Sequence, residues 1–133
     1  MNHPTTRAAK HILLSIIELG GYPDFKPLYR QAGYEVESVS SVRKALSLLK
    51  EIQPDVIVAE FNFQSDFRDR TSSLESLLAA VQRSPKTKVF IFYENEHAHQ
   101  LAKLQVRFPV YEAFAYPIDA KKLADSLRQA GAG

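Results

Sequence analysis

The chain contains no cysteine and no tryptophan, and only one methionine and five glycines in 133 residues. Without cysteine there is no disulfide framework, no thiolate metal site and no cysteine nucleophile. The longest apolar stretch, Ile12 to Ile17, is broken by Ser15 and is far too short to span a bilayer. Arg7 and Lys10 precede it, but no small-residue cleavage site follows, because Leu19-Gly20-Gly21-Tyr22-Pro23 reads as a turn. A cytoplasmic protein with no membrane segment is the expectation. Charge of one sign is also scarce: the formal net charge is +2, too small to argue for nucleic acid by itself. What is present is 45% hydrophobic residues, enough for one core in a chain of this length.

Residues 1–9 are polar and carry no apolar period, so 1–10 read as a flexible amino-terminal arm. His11–Ile17 is a short apolar run that predicts a buried strand. Asp24 to Ala32 places Phe25, Leu28, Tyr29 and Ala32 at helical spacing, with Pro27 tolerable in the first turn and Gly33 as the stop. Tyr34–Val39 alternates cleanly and predicts a second strand. Ser40 or Ser41 then caps a helix whose inner face is Val42, Ala45, Leu46, Leu49 and Ile52. Pro54-Asp55 turns into a third strand, Val56–Phe61. A polar loop follows from Asn62 to Thr71, and Ser72 with Glu75 forms a candidate capping box for a helix carrying Leu74, Leu77, Leu78 and Val81. Val89–Tyr93 is a fourth strand. Ala98, Leu101, Ala102 and Leu104 mark a fourth helix, closed before Pro109. Ala113–Tyr116 is a short fifth strand, and Asp119 caps a last helix with Leu123, Ala124 and Leu127 inside.

Strands alternating with helices over short connections predict an α/β fold: a single flavodoxin-like doubly wound domain, with a five-stranded parallel sheet and about five helices. The pieces His11-Ile12-Leu13-Leu14, Gly33-Tyr34-Glu35-Val36, Ala45-Leu46, Pro54-Asp55-Val56-Ile57-Val58, Val89-Phe90-Ile91-Phe92 and Tyr116-Pro117 occur in the order and spacing of one family. Across residues 11–130 the chain resembles a response-regulator receiver (CheY-like) domain. The stretch after the first strand is shorter than usual, and the loop after Glu60 is longer.

That resemblance implies a phosphorylation site whose parts are missing here. In the family, acids after the first strand hold magnesium; the matching positions are Ile16 and Ile17, with Glu18 next, and a one-residue shift would place Glu18 in the second acidic position. Magnesium needs oxygen ligands in near-octahedral array, which two isoleucines cannot supply. Glu60 stands at the phosphoacceptor position, its carboxylate displaced by one methylene from the place an in-line attack requires. Tyr93 occupies the place of the hydroxyl switch. Tyr116 takes the place of the lysine, with Pro117 retained, and a phenol cannot supply the lysine's positive charge. The expectation is a degenerate pseudo-receiver, not an enzyme, with no cofactor and no metal. Ile16, Ile17 and Glu18 would line a vacated acidic pocket that Tyr93 and Tyr116 plug. Glu60 is either a mimic of a phosphorylated aspartate or an ordinary polar residue at a strand end.

Other features have ordinary readings. Gly20-Gly21 lacks the third glycine of a phosphate-binding fingerprint. Asp66-Phe67-Arg68-Asp69-Arg70 is either a binding loop or a self-paired charge cluster. His97 and His99 are two apart, a spacing that splays ligands on a helix. No nucleophile–base–orienter set is visible. The leading expectation is therefore a phosphorylation-independent interaction module in bacterial signal transduction. Its partner would be another signalling protein or a second copy, possible as a homodimer, with no nucleic acid and no membrane. The candidate interface is Lys103, Arg107, Tyr111, Lys121, Lys122 and Asp125, across the fourth helix, fifth strand and fifth helix. The alternatives are a small-molecule-sensing pseudo-receiver, or a receiver still phosphorylated at a displaced acid such as Asp66.

Overall fold

The computed structural model describes residues 11–18, 21–61 and 74–132. The polar arm 1–10, the loop 62–71 and Ser72 of the candidate capping box lie outside them. Among the described residues the elements are β1 (His11–Ile16), α1 (Lys26–Gln31), β2 (Tyr34–Val39), α2 (Val42–Leu48), β3 (Val56–Glu60), α3 (Leu74–Val81), β4 (Lys88–Tyr93), a 3-10 turn (Asn95–His97), α4 (Ala98–Arg107), β5 (Glu112–Ala115) and α5 (Ala120–Ala132). The five strands are parallel and lie in the order β2-β1-β3-β4-β5. This is the flavodoxin-like order, with the strand sequence reversing direction beside β1.

Alternation along the central strands divides the core into two layers. Leu14 and Ile16 of β1, Ile57 and Ala59 of β3, and Val89 and Ile91 of β4 face one layer, which α2, α3 and α4 cover with Ala45, Leu77 and Leu101. Leu13, Val56, Val58, Phe90 and Phe92 face the other, covered by Tyr29 of α1 and Leu123 and Leu127 of α5. Central strands buried on both faces need the unbroken apolar composition seen in VIVA and VFIF. The edge strand β2 keeps one wet side, and Glu35 and Glu37 stand exposed.

Helix ends follow local chemistry. Ser41 caps α2 by accepting the Lys44 amide at 3.1 Å. Asp119 accepts the amides of Lys121 and Lys122 at the start of α5. Gly33 ends α1 at φ +101, a conformation that favours glycine. α1 begins at Lys26 rather than Asp24, because the Asp24 carboxylate accepts the Lys26 amide at 3.0 Å and holds a turn ahead of the helix. Phe61 and Tyr116 fall just past their strands, although each still donates its amide across the sheet, to Phe92 O and Tyr93 O. No helix among the described residues is long and apolar enough to cross a membrane.

Two substitutions test this frame in urea denaturation. Ile57→Ala, at a site with no exposed surface in the middle of β3, is expected to cost about 3 kcal/mol. Ser41→Ala is expected to cost about 1 kcal/mol through the lost cap. A loss at Ile57 no larger than that at Ser41 contradicts the central placement of β3.

Candidate functional site

In an open parallel sheet, ligands meet the loops beyond the carboxyl ends of the strands. Here that end gathers the residues after β1, Glu60, the residues after β4, and Tyr116. The three positions after the first strand do not converge on one pocket. Ile16 is 2% exposed and belongs to the core layer under α2, α3 and α4. Ile17 is at the surface, its amide donating to Val39 O at 3.0 Å. Glu18 turns to α2, where its carboxylate accepts the Val42 amide at 3.3 Å. With Ser41 it satisfies two open amides of the first turn, those of Val42 and Lys44, and places negative charge at the positive end of the helix. The Glu18 carboxylate is thus committed to a helix end.

The two tyrosines expected to plug one pocket stand on opposite sides of the sheet, which corrects that expectation. Tyr93 continues the inward alternation of Val89 and Ile91 and packs, half-buried, against the layer that contains Ile16. Tyr116 leaves β5 one residue past the strand and points to the other side, 44% exposed. Its partner is Tyr22, which the sequence reading assigned only to a turn. The Tyr22 ring meets Tyr116 edge-on at 5.6 Å between centroids and leans on Phe92 at 5.4 Å. Phe25 closes the cluster against Phe92 at 5.8 Å. Edge-to-face packing of this kind stabilises beyond its buried area. The signal that could have found Tyr22 was an aromatic beside Gly21, a residue at φ +89 that turns the chain back over the sheet end.

Two carboxylates face this aromatic cluster. Burial, then Glu94, then Glu60, then Tyr116 push the Tyr22 phenol from 10.0 up to about 12. Glu60 is half-buried at the end of β3. Among the described residues, Glu60 thus stands near a phenol whose pKa is raised and a second carboxylate, Glu94. Among the described residues, no group of histidine, aspartate or glutamate is arranged to hold a metal ion. His97 approaches Glu96 at 3.5 Å and meets Phe61 edge-on, while His99 is exposed.

The candidate interface residues divide by partner. Lys103, Lys121 and Lys122 are exposed. Arg107 pairs with Glu75 of α3 at 2.8 Å, and Asp125 pairs with Arg128 at 3.0 Å. Tyr111 is 42% exposed, its inner face stacked on Phe90 at 5.1 Å. Glu112 accepts a hydrogen bond from the buried Ser126 hydroxyl, which ties β5 to α5. The structure adds Val106, 86% exposed on α4. Its signal was in the sequence: it falls outside the Leu101–Leu104 helical period.

The tyrosines give a pH test. Burial and the Asp55 carboxylate raise Tyr34 from 10.0 to about 12, and burial with the Asp24 carboxylate raises Tyr29 as well. A phenol whose folded pKa is raised contributes stability that is complete below its unfolded value and lost as pH climbs to the folded value. The protein is thus expected to lose stability between pH 10 and about 12. In tyrosine-labelled NMR titrations, Glu94→Gln lowers the Tyr22 midpoint further than Glu60→Gln does, and Glu60→Gln changes stability by less than about 1 kcal/mol. An unmoved midpoint in both variants would remove the two carboxylates from the Tyr22 environment.

No protein-family model matches the chain, and no curated protein matches it in sequence. Solved structures do match in shape. A response-regulator receiver domain protein from Clostridium thermocellum superposes with a TM-score of 0.73 at 19% identity, covering 92% of this chain and 94% of that one. The signal receiver domain of an HD-domain-containing protein from Pseudomonas fluorescens Pf-5 gives 0.71 at 18%, covering 91% and 94%. A chemotaxis response regulator of Vibrio cholerae gives 0.69 at 17%, covering 91% and 98%. The fold of this chain is that of the CheY-like response-regulator receiver domains.

Proposed function

We propose that the chain is a pseudo-receiver: a receiver-like domain that acts without phosphorylation, as a docking module for another signalling protein or a second copy, in bacterial signal transduction. The observation that carries this reading is the engagement of Glu18 with the Val42 amide, beside an Ile16 sealed in the core. The acid that could have helped hold magnesium is used to start a helix. A metal-dependent transfer would need that carboxylate released and a second one supplied. Tyr22 and Tyr116 over Phe92 occupy the neighbouring face, where a lysine would have met the phosphoryl group.

A domain without this reaction acts through its surface. Tyr111 and Val106 flank the connection from α4 to β5 and are exposed, as are Lys103 on α4 and Lys121 and Lys122 on α5. Exposed aromatic and aliphatic area within mixed charge suits a specific interface. With Tyr93 held in the core layer, the surface is set in one state and docking needs no activation.

Incubation with acetyl phosphate and magnesium, read by intact mass, is expected to show no adduct. An adduct abolished by Glu60→Ala overturns the proposal, and one abolished by Asp66→Asn establishes the displaced-acid reading instead. For the surface, Tyr111→Ala combined with Lys122→Glu is expected to weaken self-association or partner capture by about tenfold or more. Glu37→Lys on β2 is expected to leave both unchanged. The reverse pattern moves the interface to the other edge of the sheet.

A further inference from the structure

Two cavities open at the opposite end of the sheet, where β3, β4 and β5 begin. One, of about 390 Å³, lies between α3 and the entry to β5, with Leu78, Val89 and Val110 among its walls. The other, of about 360 Å³, lies between the ends of α2 and α3, with Leu46, Leu49 and Ile52 among its walls. They share Val81, Ser84 and Thr87, so they form two lobes of one groove across a common ridge. Each lobe is within the size range of sites that take small ligands or side-chain anchors.

The charged side chains that line the groove have one sign. Lys50 and Arg83 line one lobe and Lys88 the other, and no carboxylate lines either among the described residues. None of these three cations forms an ion pair with a described residue, whereas Arg107 and Arg128 are each paired within the fold. The Lys88 ammonium stands 6.0 Å from the centre of the Tyr111 ring, held at the groove mouth.

We propose that this two-lobed groove docks an acidic peptide segment of a partner protein, with an apolar side chain in each lobe and carboxylates against Lys50, Arg83 and Lys88. Charge complementarity selects the sign of the partner. The ridge selects its shape: it carries Ser84 and Thr87, whose hydroxyl donates to Pro54 O at 2.7 Å, so the apolar floor is interrupted. An alkyl chain needs a continuous apolar floor, whereas a peptide places separate side chains on each side of a polar step. A folded second copy is a poor occupant, because the large apolar side chains exposed among the described residues, Ile17, Val106, Tyr111 and Tyr116, are dispersed and not set in an acidic segment. This site lies at the other end of the strands from Glu60 and does not depend on whether phosphorylation is lost.

The test is an amide NMR titration of the full chain with two short synthetic peptides, one alternating leucine with glutamate and the other leucine with lysine. The acidic peptide is expected to shift Val81, Ser84, Thr87 and Val89 saturably, and more weakly as salt rises. Lys50→Glu with Arg83→Glu is expected to weaken it by about tenfold, while Arg30→Glu on α1 leaves it unchanged. Retained folding of the double variant is read from the dispersion of the same spectra. Equal binding of both peptides, shifts confined to other surfaces, unaltered affinity in the double variant, or no saturable shift overturns the proposal. Stronger displacement by single-stranded nucleic acid or by anionic vesicles than by the acidic peptide also overturns it.

Discussion

A parallel sheet whose central strands are buried on both faces leaves only its two ends open to other molecules. That constraint governs the rest of this protein. β1, β3 and β4 spend both sides of their pleat on the core: Leu14, Ile57 and Ile91 on one, Leu13, Val58 and Phe90 on the other. Polar side chains that act must therefore come from the turns, and their reach is set by where each strand stops.

At the carboxyl end, the turns have been put to structural use. Glu18 starts α2, Tyr93 packs into the core, and Tyr22 bridges Phe92 and Tyr116. Burial, with the nearby acids Glu94 and Glu60, raises the pKa of the Tyr22 phenol. Among the described residues this end carries aromatic contacts and a helix cap. The amino end shows the opposite balance, with open apolar volume and cations that no described residue pairs.

Much of this was legible in residue order. The alternation Tyr34-Glu35-Val36-Glu37 placed β2 at its observed bounds, and the spacing of Leu74, Leu77, Leu78 and Val81 gave the buried face of α3. Ser41 and Asp119 announced their helices, because a cap is a local interaction between near neighbours. What could not be read were contacts made across the fold. Tyr22 lies in an aperiodic turn, and nothing local reveals that its neighbours are Phe92 and Tyr116. Glu18 could be aligned with an acidic position, but the direction of its carboxylate depends on where α2 begins in space. Tyr93 and Tyr116 looked equivalent as strand-end aromatics; their opposite sides follow from strand parity and from Tyr116 lying past the end of β5.

The bond from the Tyr34 hydroxyl to the Leu127 carbonyl, 2.7 Å long and 93 residues apart in the chain, couples β2 to α5. Leu123 and Leu127 seal the same layer as Leu13, Tyr29 and Tyr34. As the polypeptide is made, the strands and the first four helices leave the ribosome before the segment that covers this layer. Until α5 arrives, Phe90 and Phe92 have an incomplete roof, and the part of this face that Leu123 and Leu127 cover is adhesive. Completion of the domain is therefore timed by its last helix, and a chain stopped short of it would leave one core layer partly uncovered.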